Sequence, residues 1–468
     1  MLQHSFVLDS LETTGADTFE HFETLIDEHR ERQDSPQPSR LQQLVPTIGT
    51  FHTPLPLRDA FEAYNDKHKL TKRKHIQISF NELRHILNLA QIMAFSDRRK
   101  ILRAFSDIQD DESSGSSEKR SQDGQNDTKV AKNAPIGTFH GPQLISFDGD
   151  QTLYSDGANF ESNPKLAHQL YTLLRHGVAV AIVTAAGYEY NVEKYEYRIS
   201  GLLRYFENKQ LTPEECSRFY LFGGECNYLL RLGPDYRLVP VPEQGPNGWL
   251  TATQSLKDSP ANWSEQDISN LLDSAFATVE YTISELNLKA RAIRKKRSVG
   301  LVPLEPGKQT EISRESLDET VLRSHEALRK MRNGEGPGLP YCAFNGGTDA
   351  WVDVGNKRVG VQILQSYLGI TPERSLHIGD QFLNTGNDYA ARDVSPCIWI
   401  INPQETTYIL KTILRLAGIA PHDKLEGHDD GTGAMTKRPS HIDFDEMERR
   451  SQAVQKMDVY TGKMVTMT

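Results

Sequence analysis

The sequence predicts an α/β protein built on a Rossmann-like parallel sheet. Three observations favour this fold class. From residue 141 onward short apolar runs alternate with amphipathic helical stretches, a polar segment separates them from a helical N-terminal part, and one long charged stretch interrupts the alternation. Buried parallel strands are continuous apolar runs, and LISF, VAVAIVT, SLHIGD and CIWIINP have that character.

Length, charge and cysteine usage limit the functional class. The chain has 468 residues, which is enough for two or three domains, and its net charge of −10 argues against a dedicated nucleic-acid binder. No run approaches the ~18 apolar residues of a membrane span. Four cysteines lack metal-ligand spacing and are predicted to be reduced thiols of a cytoplasmic protein. They are Cys216, Cys226, Cys342 and Cys397.

The N-terminal part, residues 1–109, is predicted to be a helical module for regulation or assembly. Its segment 80–105 has leucine and isoleucine at helical spacing. The basic run 67–75 has the composition of a solvated face, although an anionic ligand there is an open alternative. Residues 110–134 contain almost no large apolar side chain and are predicted to form a disordered linker.

The predicted core comes in two parts, residues 135–224 and 341–420. Helices are expected at 163–176 and 188–206 in the first part, and at RVGVQILQSYL in the second. Residues 225–340 form an insertion that is too long for a loop, so a cap domain is expected there. The remaining residues, 421–468, are a polar tail.

The stretch ISFDGDQTLY places two carboxylates, Asp148 and Asp150, around Gly149 at the end of an apolar run. In a continuing strand these side chains would point to opposite faces, so the strand is expected to end near Asp148. The loop can then aim the Asp148 side chain and the Asp150 carbonyl at one cation, which leaves the Asp150 carboxylate free for proton transfer. The alternative is a strand followed by an acidic turn.

Three further residues follow in chain order near apolar runs: Thr184, Lys357 and Asp380. Ligands of open α/β sheets bind outside the carboxyl ends of strands, so these side chains are expected to converge with Asp148. Each has an alternative. Thr184 could be a β-branched strand residue and Lys357 an exposed lysine in a helix's first turn, and Asp388 in TGND could cap a helix.

This ordered set resembles the motifs of the haloacid dehalogenase superfamily of phosphohydrolases and phosphotransferases, from the Asp148-Gly149-Asp150-Gln151-Thr152 motif onward. The resemblance implies a haloacid dehalogenase core with a type-two α+β cap. It also implies Asp148 as nucleophile, Asp150 as acid/base, and Thr184 and Lys357 as phosphoryl contacts. The implied Mg²⁺ ligands are Asp148, Asp150 and Asp380, with Asp388 behind them.

A closer resemblance covers nearly the whole chain. The stretches FDGDQTLYSDG, TAAGYEYNVEKYEYRISGLL, FNGGTDAWVDVGNKRVGVQIL and GDQFLNTGNDYAARD are similar to the IMP-specific 5′-nucleotidase family. This resemblance implies hydrolysis of IMP to inosine and phosphate through an aspartyl-phosphate. It further implies Mg²⁺ as cofactor, ATP as allosteric activator, a homotetramer, and a cytoplasmic site in purine turnover.

Substrate contacts are predicted at the flap after Asp148, in the stretch that follows Thr184, and where the cap returns to the core. For Asp349 and Asp353 the alternative is a solvated turn. The predicted substrate-binding residues are Asp156, Thr184, Arg198, Asn345, Asp349, Asp353 and Lys357.

Two other functions stay open at this level. The spacing of GDQFLNTGND and the segment RKKRSVGLVP are also compatible with a phosphomannomutase-like sugar phosphotransferase. A non-catalytic regulatory protein on the same fold is the second alternative. The carboxylate cluster argues against it, since like charges held together cost stability unless a cation offsets them.

Overall fold

The computed structural model describes residues 15–33, 35–46, 48–73, 78–96, 141–155, 157–161, 163–304, 312–383, 385–419, 456–457 and 464–465. The predicted linker, most of the predicted tail, and Asp156 lie outside these residues. No helix in the described part of the chain is long and apolar enough to cross a membrane.

Four α-helices lie in the described part of the N-terminal module: α1 (Ala16–Glu31), α2 (Arg40–Leu44), α3 (Leu57–His68) and α4 (Phe80–Met93). Helix α4 begins where Ser79 and Glu82 form a capping box and ends at Met93, and residues 97–105 of the segment predicted as helical lie outside the described residues. Phe19 and Phe61 stack with ring centroids 4.7 Å apart and join α1 to α3. The predicted helical module is thus present, as far as the chain is described.

Two sheets follow the module. Their strands are β1 (Leu144–Phe147), β2 (Ala179–Val183), β3 (Phe219–Gly223), β4 (Tyr228–Leu232), β5 (Leu238–Pro240), β6 (Ala290–Arg294), β7 (Ser298–Pro303), β8 (Tyr341–Asn345), β9 (Ala350–Val354), β10 (Ser375–Gly379) and β11 (Cys397–Trp399). A separate ribbon pairs β12 (Lys456–Met457) with β13 (Met464–Val465).

The helices that accompany these sheets are α5 (Pro164–Arg175), α6 (Val192–Arg198), α7 (Ser200–Asn208), α8 (Pro213–Cys216), α9 (Trp249–Thr253), α10 (Glu265–Glu285), α11 (Arg314–Arg329), α12 (Met331–Gly334), α13 (Lys357–Leu368) and α14 (Pro403–Leu416). The helix predicted at 163–176 is confirmed as α5. The pattern at 188–206 forms two helices, α6 and α7, with a break at Ile199.

The core sheet has the strand order β11-β10-β1-β2-β3-β4-β5. Its first five strands are parallel, and β4 and β5 extend it as an antiparallel hairpin. The register places Phe147 of β1 beside Ile378 of β10 on one side and beside Ile182 of β2 on the other. The residues that follow β1, β2 and β10 therefore lie side by side at one edge, where ligands of such sheets bind.

The cap is a four-stranded antiparallel sheet, β6-β7-β9-β8, with α10 and α11 packed on one face. Its extent corrects the predicted boundaries of 225–340. Strands β4 and β5 belong to the core sheet, whereas β8 and β9, assigned to the core from sequence, belong to the cap sheet. A short apolar run predicts a strand but carries no information about which sheet it joins.

Helix α4 covers the edge strand β11 of the core sheet. The Asn88 side chain donates to the Trp399 carbonyl at 2.7 Å and accepts from the Trp399 N–H at 3.1 Å, as a neighbouring strand would. Arg84 donates to the same carbonyl at 2.6 Å and to Glu405 at 2.8 Å, in a buried contact. The N-terminal module thus satisfies an open sheet edge and packs directly on the core.

Candidate active site

Strand β1 ends directly before the acidic loop, as the sequence predicts. The strand ends at Phe147, and the N–H groups of Leu153 and Tyr154 donate back to the Gly149 carbonyl at 2.9 and 3.4 Å. A Cβ atom at position 149 would lie 2.4 Å from the Tyr154 hydroxyl oxygen, so this close turn requires glycine. Asp148 and Asp150 both line one pocket of about 1080 Å³ between core and cap.

Lys357 begins α13 and lies behind Asp148, which lines this pocket. Its side chain is fully buried, and its Nζ lies 2.8 Å from Asp148, 2.7 Å from Asp388 and 3.0 Å from the Asn387 side-chain oxygen. Burial opposes the charge, but Asp148 and Asp388 outweigh it and raise the pKa of the ammonium. Lys357 is therefore a buried cation that sits between carboxylates, and the exposed-lysine alternative is wrong.

Asp148 is almost completely buried at this site. Burial raises the pKa of its carboxyl group, the ammonium of Lys357 opposes that shift, and the nearby Asp388 adds to it. Withdrawal from water leaves a carboxylate with a weak hydration shell, which favours attack on an incoming electrophile once positive charge is present. The position suits a nucleophile.

Asp388 is a buried anchor of the loop after β10. One oxygen accepts from Lys357 and from His377 Nε2 at 3.0 Å, and the other accepts from the N–H groups of Asp380 and Gln381 at 3.1 and 2.9 Å. Burial favours the neutral acid, but Lys357 and His377 hold the pKa of Asp388 below its usual range. Its side chain makes no helix-capping hydrogen bond, so the capping alternative is wrong.

The donor set fits a small divalent cation. Carboxylate oxygens of Asp148, Asp380 and Asp388 lie within 4.8 Å of one another, and Mg²⁺ prefers oxygen ligands. Four hydrogen-bond donors already occupy the two oxygens of Asp388, which leaves Asp148 and Asp380 to face the cation. The Trp399 indole donates to the Asp380 carbonyl at 2.8 Å and fixes the backbone at that residue.

Thr184 and Arg198 complete the core side of the pocket. Thr184 follows β2, and its hydroxyl oxygen accepts from the Ala186 N–H at 3.1 Å, which leaves the hydroxyl proton free to donate. Arg198, the last residue of α6, donates to Asp150 at 2.6 Å and lies 4.9 Å from the Tyr154 ring centroid. The guanidinium thus holds the Asp150 carboxylate in place.

The three cap residues predicted from the sequence all line the pocket. The Asn345 amide is already engaged, donating to Asp318 at 2.9 Å and accepting from the Gly347 N–H at 2.8 Å. Asp353 lies within strand β9 and is buried, so the solvated-turn alternative is wrong for it. Burial raises the pKa of both Asp349 and Asp353, and Glu225 adds to the shift of Asp353.

Some site residues were not predicted. From the cap, Lys295, Arg297 and Trp351 line the pocket, with Lys295 Nζ 4.1 Å from the Trp351 ring centroid. From the core, Glu225 and Asn387 lie behind Lys357. No spacing pattern identifies Glu225, because Gly224 separates it from the end of β3, whereas Asp148 follows its strand directly.

Comparison with known proteins gives consistent matches over most of the chain. The model of the family described as IMP-specific 5′-nucleotidase matches residues 5–410. A Neurospora crassa protein of that name is 37% identical over 418 residues, covering 86% of this chain and 85% of its own. A Plasmodium falciparum protein of the same name is 36% identical over 390 residues, covering 82% and 74%.

Solved structures of the Plasmodium falciparum IMP-nucleotidase share this fold. An IMP-bound mutant superposes with a TM-score of 0.70 at 34% identity, covering 88% of this chain and 91% of its own. An ATP-bound form superposes with a TM-score of 0.68 at 34% identity, covering 88% and 82%.

Proposed function

The chain belongs to the IMP-specific 5′-nucleotidase family, and we propose that it hydrolyses IMP to inosine and phosphate through an aspartyl-phosphate on Asp148. The observation that carries this proposal is the buried contact of 2.8 Å between Lys357 and Asp148, which lines a nucleotide-sized pocket. It supports the proposal because a carboxylate nucleophile with a fixed positive charge beside it is what attack on a phosphate monoester requires.

In the first step a carboxylate oxygen of Asp148 attacks phosphorus while the bond from phosphorus to the 5′ oxygen breaks. Asp150 gives its proton to that leaving oxygen, so inosine departs as the neutral alcohol. In the second step a water molecule attacks phosphorus and gives a proton to Asp150, while the bond from phosphorus to the Asp148 oxygen breaks, so phosphate leaves and the Asp148 carboxylate is restored. The contact with Arg198 keeps Asp150 oriented through both transfers.

Lys357 and Thr184 act on the transferring phosphoryl group. The Lys357 ammonium neutralises charge on Asp148 before attack, and the Thr184 hydroxyl donates to an equatorial phosphoryl oxygen. Mg²⁺ held by the Asp148 and Asp380 carboxylates and the Asp150 carbonyl would supply the further positive charge that a carboxylate needs to approach a phosphate dianion.

The remaining predicted contacts belong to the nucleoside. We assign Asp349 and Asp353 to the ribose and base side of the pocket, because both face it from the cap. Asn345 positions this loop, since its amide bonds Asp318 and Gly347 and its backbone N–H donates to the Thr385 carbonyl at 3.1 Å across the cap and core. The assignment of Asp156 to the ribose rests on the sequence alone.

Phosphate release from a panel of monophosphates tests this function. With Mg²⁺ present, we expect kcat/KM for IMP to exceed that for GMP, AMP, phosphomannose and pyridoxal phosphate by about tenfold or more. A chelator should abolish the activity, and Ca²⁺ should not restore it because it favours higher coordination numbers. Preference for the sugar phosphate, or need for a bisphosphate activator, would indicate the phosphotransferase. Absence of hydrolysis across the panel would indicate a non-catalytic protein.

We further propose that ATP activates the enzyme through the N-terminal module, in a cytoplasmic homotetramer. An ATP-bound structure of the Plasmodium falciparum relative and the family resemblance support ATP as the effector. The packing of α4 supports a route, because Asn88 binds the backbone of Trp399 and the Trp399 indole binds the Asp380 carbonyl. A shift of the module would thus change the position of a metal ligand.

Replacing Asn88 by leucine should weaken ATP activation by about fivefold, since both bonds to Trp399 are lost. Initial rates on IMP with and without ATP measure the effect. Glu62→Gln, an exposed change on α3 within the same module, is the control and should leave activation unchanged. Full ATP activation in a folded Asn88→Leu variant would contradict this route.

A further inference from the structure

We propose that Glu225 is a positioning residue for Lys357, acting through the side-chain amide of Asn387. The inference rests on the proposed role of Lys357 as the fixed cation of phosphoryl transfer. It adds a residue to the reaction machinery that neither motif spacing nor the direct pocket lining identifies, because the Glu225 side chain is completely buried behind the lysine.

The backbone after β3 explains how a glutamate reaches this place. Gly224, Glu225 and Cys226 have consecutive positive φ values of 62°, 50° and 74°. A side chain is disfavoured in this region, so the two non-glycine residues indicate a strained turn that its surroundings hold. The Glu225 N–H donates to the Thr184 carbonyl at 3.1 Å, which ties the turn to the phosphate-binding end of β2.

The same turn packs against the segment that leads into Lys357. A Cβ atom at Gly355 would lie 2.3 Å from the Glu225 carbonyl oxygen, so the two backbones touch two residues before the lysine. Asn227 joins them as well, with its amide donating to the carbonyls of Gly224 and Val354 at 2.7 Å each. Glu225 is therefore held in a fixed position relative to the start of α13.

Glu225, Asn387 and Lys357 form a chain of hydrogen bonds, called the relay below. The chemistry of its groups fixes which atom of the Asn387 amide faces which neighbour. An ammonium group has only donors, so the Asn387 atom 3.0 Å from Lys357 must be the amide oxygen. The amide nitrogen consequently points the other way, where it donates to Glu225 Oε1 at 3.0 Å. Without an acceptor at position 225, the Asn387 amide nitrogen would be buried without a partner, and the amide would rotate away from its place beside the ammonium to reach another acceptor.

Such a rotation would affect the nucleophile directly. Lys357 has three protons for three partners, Asp148, Asp388 and Asn387. Loss of the Asn387 acceptor leaves the ammonium held from one side only, so that it shifts toward the two carboxylates and no longer presents a fixed charge to the phosphoryl group. The effect is expected in the rate of the chemical step more than in substrate binding.

The acceptor, and not the charge, is the property that the relay requires. Burial raises the pKa of Glu225 to about 7, with Lys357 and Asn387 opposing the shift. A carboxyl oxygen can accept from the Asn387 amide in either protonation state. A glutamine, whose side-chain oxygen accepts equally well, should therefore replace this glutamate.

The test compares Glu225→Gln with Glu225→Met in the full-length protein with Mg²⁺. Methionine has a similar length and meets the same backbone strain, but it offers no comparable acceptor. Glu225→Met should lower kcat by about 10- to 100-fold, whereas Glu225→Gln should stay within about threefold of wild type, and KM should change little in both. Glu215→Met, which removes another mostly buried, hydrogen-bonded glutamate, controls for lost stability and should keep the wild-type kcat.

A double-mutant cycle with Asn387→Leu separates the relay from independent packing effects. If the two residues act in series, the double variant Glu225→Met with Asn387→Leu should be no slower than the slower single variant. Multiplying losses would overturn the proposal, as would a wild-type kcat in Glu225→Met or an equal loss in Glu225→Gln. Should Glu225→Met fail to fold, the Asn387→Leu variant provides the test, because it leaves the strained turn intact. A wild-type kcat in Asn387→Leu would refute the relay.

Both IMP and p-nitrophenyl phosphate should serve as substrates in these measurements. The relay acts on the phosphoryl centre, so the pattern among the variants should be the same with either compound. Wild-type hydrolysis of p-nitrophenyl phosphate without activity on IMP would reject the proposed substrate, while the relay could still be judged from the variants. Failure of the one proposal is thereby distinguishable from failure of the other.

Discussion

Replacing Asp148 by asparagine should lower kcat on IMP by at least about 10⁴-fold and leave the fold intact, since it removes the nucleophile but keeps the shape of the side chain. The amide oxygen of asparagine can still face Lys357, so the floor of the pocket should remain ordered. Steady-state kinetics and thermal unfolding of the same preparation measure the two effects separately.

A matched control for this variant is Asp235→Asn, an exposed aspartate in the turn between β4 and β5 that bonds only its neighbour Arg237 in the described structure. Its activity should equal that of the wild type. Residual activity of Asp148→Asn within tenfold of wild type would show that another group attacks phosphorus.

Replacing Lys357 by methionine should both abolish activity and destabilise the protein. The kcat is expected to fall by about 10³-fold, because no other cationic side chain among the described residues forms an ion pair with Asp148. Stability should fall by about 3–5 kcal/mol, because Asp148 and Asp388 are left buried without their common cation. Denaturant unfolding and steady-state rates measure the two losses.

Two further variants test the cause of these losses. Combining Lys357→Met with Asp148→Asn removes one of the stranded carboxylates and should recover part of the stability but none of the activity. Lys357→Arg should not restore activity, because a planar guanidinium cannot fit a fully buried site shaped for an ammonium. A Lys357→Met protein as stable as wild type would contradict the electrostatic account of this site.

The sequence predicted the core strands well because their environment imposes one pattern. Strands such as Ala179–Val183 are buried on both faces of a parallel sheet, so every residue is apolar and the run is visible without a partner. The membership of β4 and β8 was assigned wrongly, because pairing depends on chain reversals and crossovers that apolar runs do not encode. The cap therefore began and ended later than expected.

The site residues likewise fall into those that the sequence predicts and those that it does not. Asp148, Thr184 and Asp380 follow strand ends, a position that chain order reveals. Glu225 and Asn387 are separated by 162 residues, and their contact depends on a left-handed turn that no spacing predicts. A single buried acid or amide has no sequence pattern of its own. Its role can be inferred only once the structure shows which side chain it holds in place.

Chemical trapping of the covalent intermediate tests the central claim most directly. Borohydride reduces an acyl phosphate to an alcohol, so quenching the enzyme with borohydride during turnover of IMP converts the phosphorylated aspartate to homoserine. Peptide mass spectrometry then locates it. Attack by Asp148 predicts homoserine at position 148 only, and only when IMP and Mg²⁺ are both present. Turnover that leaves position 148 unreduced, or reduction at another carboxylate, would contradict the claim.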